Sequence, residues 1–205
     1  HIQKKRKNGN YYYPFTETFK GRPIYILANG PSLNKDINEL MSNDIILKES
    51  LVVNFFIESD LFMQIQPKYY CLADPVFNEE NFLTERARAV YKKLDEVVCW
   101  PLTLFVWKDA VKMVSNIMSN SYINIVGLPT LRFEGFEKKR YKYFKKGIAG
   151  PSYVNVTIMG LYALLNLGYS KIYLYGVDHS FLTGICVNDE NRLCVVDQHF
   201  YGTVT

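Results

Sequence analysis

The residues best placed to do chemistry are the turn Asn29-Gly30-Pro31-Ser32 together with Asn54, Asp74 and Asp178. Gly30 allows backbone conformations closed to other residues, while Pro31 fixes φ and gives up a donor that a helix start does not need. A turn of this composition between a buried strand and a helix offers unpaired N–H groups to an anion. In an open parallel sheet it sits at the carboxyl edge, where ligands bind. The same four residues also suit an ordinary turn with Ser32 as helix cap, so the turn by itself leaves both readings open.

The elements that position these residues follow from periodicity. An apolar, β-prone run from Ile24 stops at Asn29, and Leu33, Ile37, Leu40 and Met41 then recur at helical spacing. Further strands are expected at 51–55, with Asn54 near the end, at 69–73 before Asp74-Pro75, at 96–100 halted by Pro101, at 122–126 and at 171–175. Helices are expected at 58–66, 82–94, 110–118 and 153–167, the last capped by Ser152, apolar on most sides and stopped by Gly168. Between 129 and 147 the pattern is lost, and aromatics mix with Lys138, Lys139, Arg140, Lys142, Lys145 and Lys146. That stretch reads as a flap or lid near the ligand. A hairpin around Asn188 to Asn191 leads to the final run from Asp197 to Gly202.

Strands alternating with helices predict an α/β, Rossmann-like, mostly parallel sheet with helices on both faces. Asn29, Asn54, Asp74 and Asp178 each fall at or just past the carboxyl end of an expected strand. In a parallel sheet all four face one crevice. The divisions read are a basic, aromatic arm at 1–20 and one Rossmann-like domain at 21–205.

Composition bounds the partners. Hydrophobic residues make up 48% and charged residues 21% of the 205, a globular balance. The formal charge of +4 is a mild excess that suits a phosphate-bearing ligand or an anionic surface and gives no argument for nucleic acid. The four cysteines, at 71, 99, 186 and 194, have no metal-ligand or redox spacing, so reduced thiols and a cytoplasmic setting are expected. Cys71 and Cys99 are read as small hydrophobes inside strand-like runs. The first residue, His1, is taken as the start of a processed piece.

The turn Asn29 to Leu33, Asn54, and the block from Gly150 to Asp178 resemble the bacterial sialyltransferases of the Campylobacter type. They are also similar to related motility-associated proteins with the same Gly-Pro-Ser-Leu turn. The resemblance covers most of 24–202 and is poorest from about 80 to 145. It implies a CMP-activated sugar donor, a glycan hydroxyl acceptor, no cofactor and no metal. By position, Asn29, Gly30 and Asn54 would hold the nucleotide, Gly150 and Ser152 would sit at the cytidine or phosphate, and Gly176 to Ser180 would line the donor pocket. Pro31, Ser32, Asp74 and Tyr201 complete the expected binding set. Ser180 stands where the family has Tyr, and Asp74 where it has Asn.

The family's general base is the second His of a His-aromatic-x-Gly-His segment, and here that position is Thr203, which cannot take the proton at neutral pH. His199, His179 and Asp178 are the candidates to replace it; imidazole as a class suits the work. Lys145, Lys146, Tyr141 and Tyr143 on the flap are candidates to close over the phosphate. Two competing functions stay open. One is a Mg²⁺-dependent pyrophosphoryl transferase of the pterin pyrophosphokinase type, with Asp74 and Asp178 as ligands; the other is a non-catalytic nucleotide- or glycan-binding module. Peripheral membrane association, at the inner face of the membrane, and a homo-oligomer are left open.

Overall fold

Pro23–Leu27 forms β1 and Leu33–Met41 forms α1 in a computed structural model that describes residues 16, 18–42, 48–179, 184–195, 197–199 and 202–204. The chain continues through β2 (Ser50–Val53), a 3₁₀ turn at Asn54–Glu58, α2 (Leu61–Ile65), β3 (Tyr69–Cys71), the single turn α3 (Pro75–Asn78) and α4 (Glu85–Val97). Then come β4 (Leu102–Trp107), α5 (Val111–Ile117), β5 (Ile123–Leu128), α6 (Glu137–Lys145), α7 (Val156–Asn166) and β6 (Lys171–Tyr175). Two small antiparallel pairs end it. Ile185–Val187 (β7) pairs with Leu193–Val195 (β8), and Asp197–His199 (β9) with Gly202–Val204 (β10).

Strands β1 to β6 make one parallel sheet in the order β5-β4-β3-β2-β1-β6. From β1 to β5 each strand is laid down on the same side of the last, so right-handed crossovers put the connecting helices on one face. The return from β5 to β6 runs the other way and puts α7 on the opposite face. Side-chain alternation follows. Leu27, Val52, Tyr70, Leu104 and Val106 point to the face covered by Leu33, Phe62, Tyr91 and Val114. Ile24, Ile26, Leu51, Val53 and Phe105 point to Met159, Ala163 and Leu164 of α7. The expected α/β architecture is present.

Several expectations change. The stretch 96–100 is not a strand: α4 runs on to Val97, and the strand begins after Pro101, because Leu102, Leu104 and Val106 are the residues whose alternation is buried. Cys99 is therefore exposed, whereas Cys71 is buried in β3. β2 stops at Val53, because Asn54 turns into a left-handed conformation with φ of 44°. The cap of α7 is Asn155, whose Oδ1 accepts the Ile158 N–H at 3.0 Å, and not Ser152. Residues 137–145 of the expected flap form a helix. Gly168 does end α7, with φ of 94° and its N–H on the Leu165 carbonyl. Most of the arm at 1–20 lies outside the described residues. Among those described, no helix is long and apolar enough to cross a membrane.

Candidate functional site

Strand order reverses between β1 and β6, so the loops leaving these two strands part at the carboxyl edge of the sheet and open a crevice. The two loops first stay zipped. Ala28 N–H donates to Tyr175 O and Gly30 N–H to Gly176 O, each at 2.8 Å. A Cβ on Gly30 would fall on the Asp178 carboxylate and the Gly176 carbonyl; one on Gly176, whose φ is 67°, would lie 2.5 Å from Ala28 O. Both positions require glycine.

Asp178 then reaches across this junction. Its Oδ2 accepts the Ser32 N–H at 2.8 Å, while the Ser32 side chain makes no cap bond. The N–H expected to await an anionic ligand at the start of α1 is thus taken by a carboxylate of the chain itself. Asp178 is positioned as a helix cap, and a phosphate at this helix end would meet its negative charge.

The crevice widens into a cleft of about 430 Å³ lined by Asn29, Gly30, Asn54, Asp74, Gly176, Asp178, His179 and His199. Pro31, Ser32, Gly150 and Ser152 are not among its lining residues. Gly150 instead bridges to Arg132 and packs beneath the Tyr153 hydroxyl. Ser180 and Tyr201 lie outside the described residues.

The floor of the cleft is a polar pair. The left-handed Asn54 is held by Tyr70, whose hydroxyl donates to Asn54 O and accepts the Ile57 N–H. Asn54 Nδ2 donates to Asp74 Oδ2 at 2.8 Å, and Asn54 Oδ1 accepts the Ala73 N–H at 3.3 Å. The Asn54 side chain therefore works at both ends to fix Asp74. Burial pushes the Asp74 carboxyl above its ordinary value. Asn78 Nδ2 ties down the same loop, donating to Leu72 O and Asp74 O at 2.9 and 3.0 Å.

Asn29 differs from this pair. Its Nδ2 donates to Val53 O at a long 3.4 Å, and its Oδ1 is buried without a partner among the described residues. A buried amide oxygen left unpaired costs about 1–3 kcal/mol, a cost that a donor brought by a ligand would relieve. His179, in a left-handed conformation with φ of 49°, comes from the β6 loop, and His199 from β9. The two imidazoles line one cleft from two separate segments.

Sequence reasoning missed Arg86, Phe55, Asn155 and Thr157, which also line the cleft. Arg86 is held to Glu58 through Nε and Nη2 at 2.8 and 2.6 Å, with its guanidinium 3.9 Å over the Phe55 ring. Nothing local marks it, because α4 is brought here by packing. Asn155 had a legible signal as the polar residue just before the apolar run of α7.

Tyr141 and Lys145 lie elsewhere. They line a second cavity, of about 450 Å³, with Phe144, Tyr162, Leu165 and Asn166 at the carboxyl end of α7. That end leads into the start of β6, at the opposite edge of the sheet from the cleft. Tyr143 packs against Phe133, with ring centroids 4.9 Å apart. Neither Lys146 nor Tyr143 lines the cleft, so the expected closure of this segment over a phosphate has no support in its position.

No protein-family model matches the chain, and no curated protein sequence matches it. Among solved structures, the MAf glycosyltransferase from Magnetospirillum magneticum AMB-1 has a similar fold. The two share 22% sequence identity and a TM-score of 0.52 over 82% of this chain. The chain spans about a quarter of that protein, covering 24% of its length, and the likeness is one of fold.

Proposed function

We propose that this chain is a glycosyltransferase that moves sialic acid or a similar sugar from a CMP-activated donor to a glycan hydroxyl, in the synthesis of a surface polysaccharide or lipooligosaccharide. The observation that carries the reading is the cleft at the β1–β6 reversal, where the buried Asn29 oxygen has no donor among the described residues and His179 and His199 both line the wall. The fold shared with a protein described as a glycosyltransferase supports it.

In this reading Asn29 Oδ1 accepts from an N–H or O–H of the nucleoside, while Asn54 and Asp74 form the floor beneath it. The acceptor oxygen attacks the anomeric carbon as the bond to the phosphate oxygen breaks, and the electron pair leaves with CMP. His179 or His199 takes the hydroxyl proton. With the start of α1 closed by Asp178, Arg86 is the cationic lining residue that would face the departing phosphate in this reading, shared with Glu58 to which it is already bonded.

Thermal stabilisation by CMP, CDP, UDP, GDP and ATP, each with and without Mg²⁺, tests this. A ligand at about one hundred times its Kd adds about 2.7 kcal/mol, a readily measured shift. Stabilisation by CMP without metal supports the reading. A shift seen only with ATP and Mg²⁺ replaces it with phosphoryl transfer, and no shift with any nucleotide removes it.

A further inference from the structure

Positive charge is concentrated on one element. Residues 137–146 carry six basic side chains against the single acid Glu137, which exceeds the +4 of the whole chain. None of the residues of α6 is buried. Lys138, Lys142 and Lys145, four and three residues apart, fall in one stripe on the helix, and the half-buried Tyr143 and Phe144 lie on its other side. Among the described residues Lys138, Lys142 and Lys146 make no ion pair. Like charges at this spacing destabilise a helix. The helix keeps a repulsive face that a polyanion would relieve.

Exposed apolar side chains lie on α6 and on the segments that lead into and out of it. Phe136, the cap of α6, is 81% exposed, Leu131 61%, Tyr141 51% and Ile148 49%. Two backbone bonds tie the segments on either side of α6: Ile148 N–H donates to Tyr143 O of the helix, and Gly150 N–H to Leu131 O. Phosphate-rich nucleic acid would use the lysines and rings and gain little from Leu131 and Ile148. A bilayer interface uses both kinds of group, with hydrocarbon taking the apolar side chains and anionic headgroups the lysines.

We propose that α6 and its flanks are a docking surface for an anionic lipid bilayer. The helix lies in the interface plane, with Phe136 and Leu131 in the headgroup–acyl boundary and the lysine stripe on the lipid phosphates. The surface is separate from the cleft and stands whether or not the cleft holds a nucleotide sugar.

The test is co-sedimentation of the full chain with vesicles of phosphatidylcholine alone and of phosphatidylcholine mixed with phosphatidylglycerol. Binding is expected only to the mixed vesicles and to fall with salt. Lys138→Glu, Lys142→Glu and Lys145→Glu combined should weaken it about a hundredfold. Phe136→Ser should weaken it while leaving its salt dependence in place. Circular dichroism, unchanged in both variants, confirms that they fold. Equal sedimentation with both lipids, no sedimentation, or binding that the triple variant leaves intact overturns the proposal. So does stripe-dependent retention on duplex DNA or RNA without vesicle binding.

Discussion

The Asp178 carboxylate caps α1 through the Ser32 N–H at 2.8 Å, joining residues 146 positions apart across the β1–β6 junction. This contact fixes the geometry of both loops that open the cleft. Asp178→Ala should cost about 1 kcal/mol of stability, the usual worth of a helix cap, whereas Asp178→Asn, which keeps an acceptor, should cost less. Denaturant unfolding of the two variants checks it. If both unfold as the parent does, the contact contributes nothing to the native state.

Gly30 is a sharper case, because its missing Cβ leaves the space that the Asp178 carboxylate and Gly176 carbonyl fill. Gly30→Ala should cost about 1–3 kcal/mol through forced displacement of the β6 loop, and nucleotide-induced stabilisation should vanish with it. Gly176→Ala adds backbone strain at φ of 67° to a clash with Ala28 O and should cost at least as much. A stable Gly30→Ala protein with an intact response to ligand would show that the two loops are not held against each other.

How far the sequence discloses this arrangement depends on the kind of signal. The β1–turn–α1 unit and the polar strand ends are local, and Asn29, Asn54, Asp74 and Asp178 do line one cleft. β4 lies further along than the run before Pro101 suggests, because this proline precedes a strand and does not end one; α4 uses Val90, Tyr91 and Leu94 as a buried helical face up to Val97. α6 could not be read from periodicity, since it buries no residue and has no apolar stripe to detect. Arg86 is legible only in three dimensions, because its place beside Phe55 is set by how α4 packs on the turn after β2. Which partner Asp178 would choose was equally hidden. A carboxylate at a strand end looks the same in sequence whether it faces a ligand or caps a neighbouring helix.

Asp74 makes stability depend on pH in the reverse of the usual carboxylate sense. Burial raises its folded value above the ordinary 3.8, so the folded state binds the proton more tightly than the unfolded chain does. The resulting stability is complete below 3.8 and is lost as pH rises through the folded value. Above that the cleft holds a desolvated carboxylate. Asp74→Asn removes the charge and keeps an acceptor for Asn54 Nδ2. It should melt higher than the parent at neutral pH, with the gap closing as pH falls toward 3.8. A lower melting temperature at neutral pH would mean that partners in the cleft more than offset the burial of the charge.

His179 and His199 reach the cleft from different segments, so they can be separated by substitution. If the chain is the glycosyltransferase proposed and one of them takes the acceptor's proton, that one should, as the Ala variant, lower kcat for transfer by about 10²–10⁴ while donor KM changes little. Slow hydrolysis of the donor should survive in that variant, because water can leave its proton to solvent. Added imidazole should restore part of the transfer rate, since the deleted side chain leaves room beside the cleft. The other histidine should change kcat less than about tenfold, or change donor KM if it touches the sugar. A bystander role predicts neither rescue nor an altered pH profile. If both single variants transfer sugar at the parental rate, the base lies elsewhere. Asp178, already committed to the Ser32 N–H, would then need to release that bond to serve, and Asp178→Asn would distinguish the two roles by losing activity while keeping its fold.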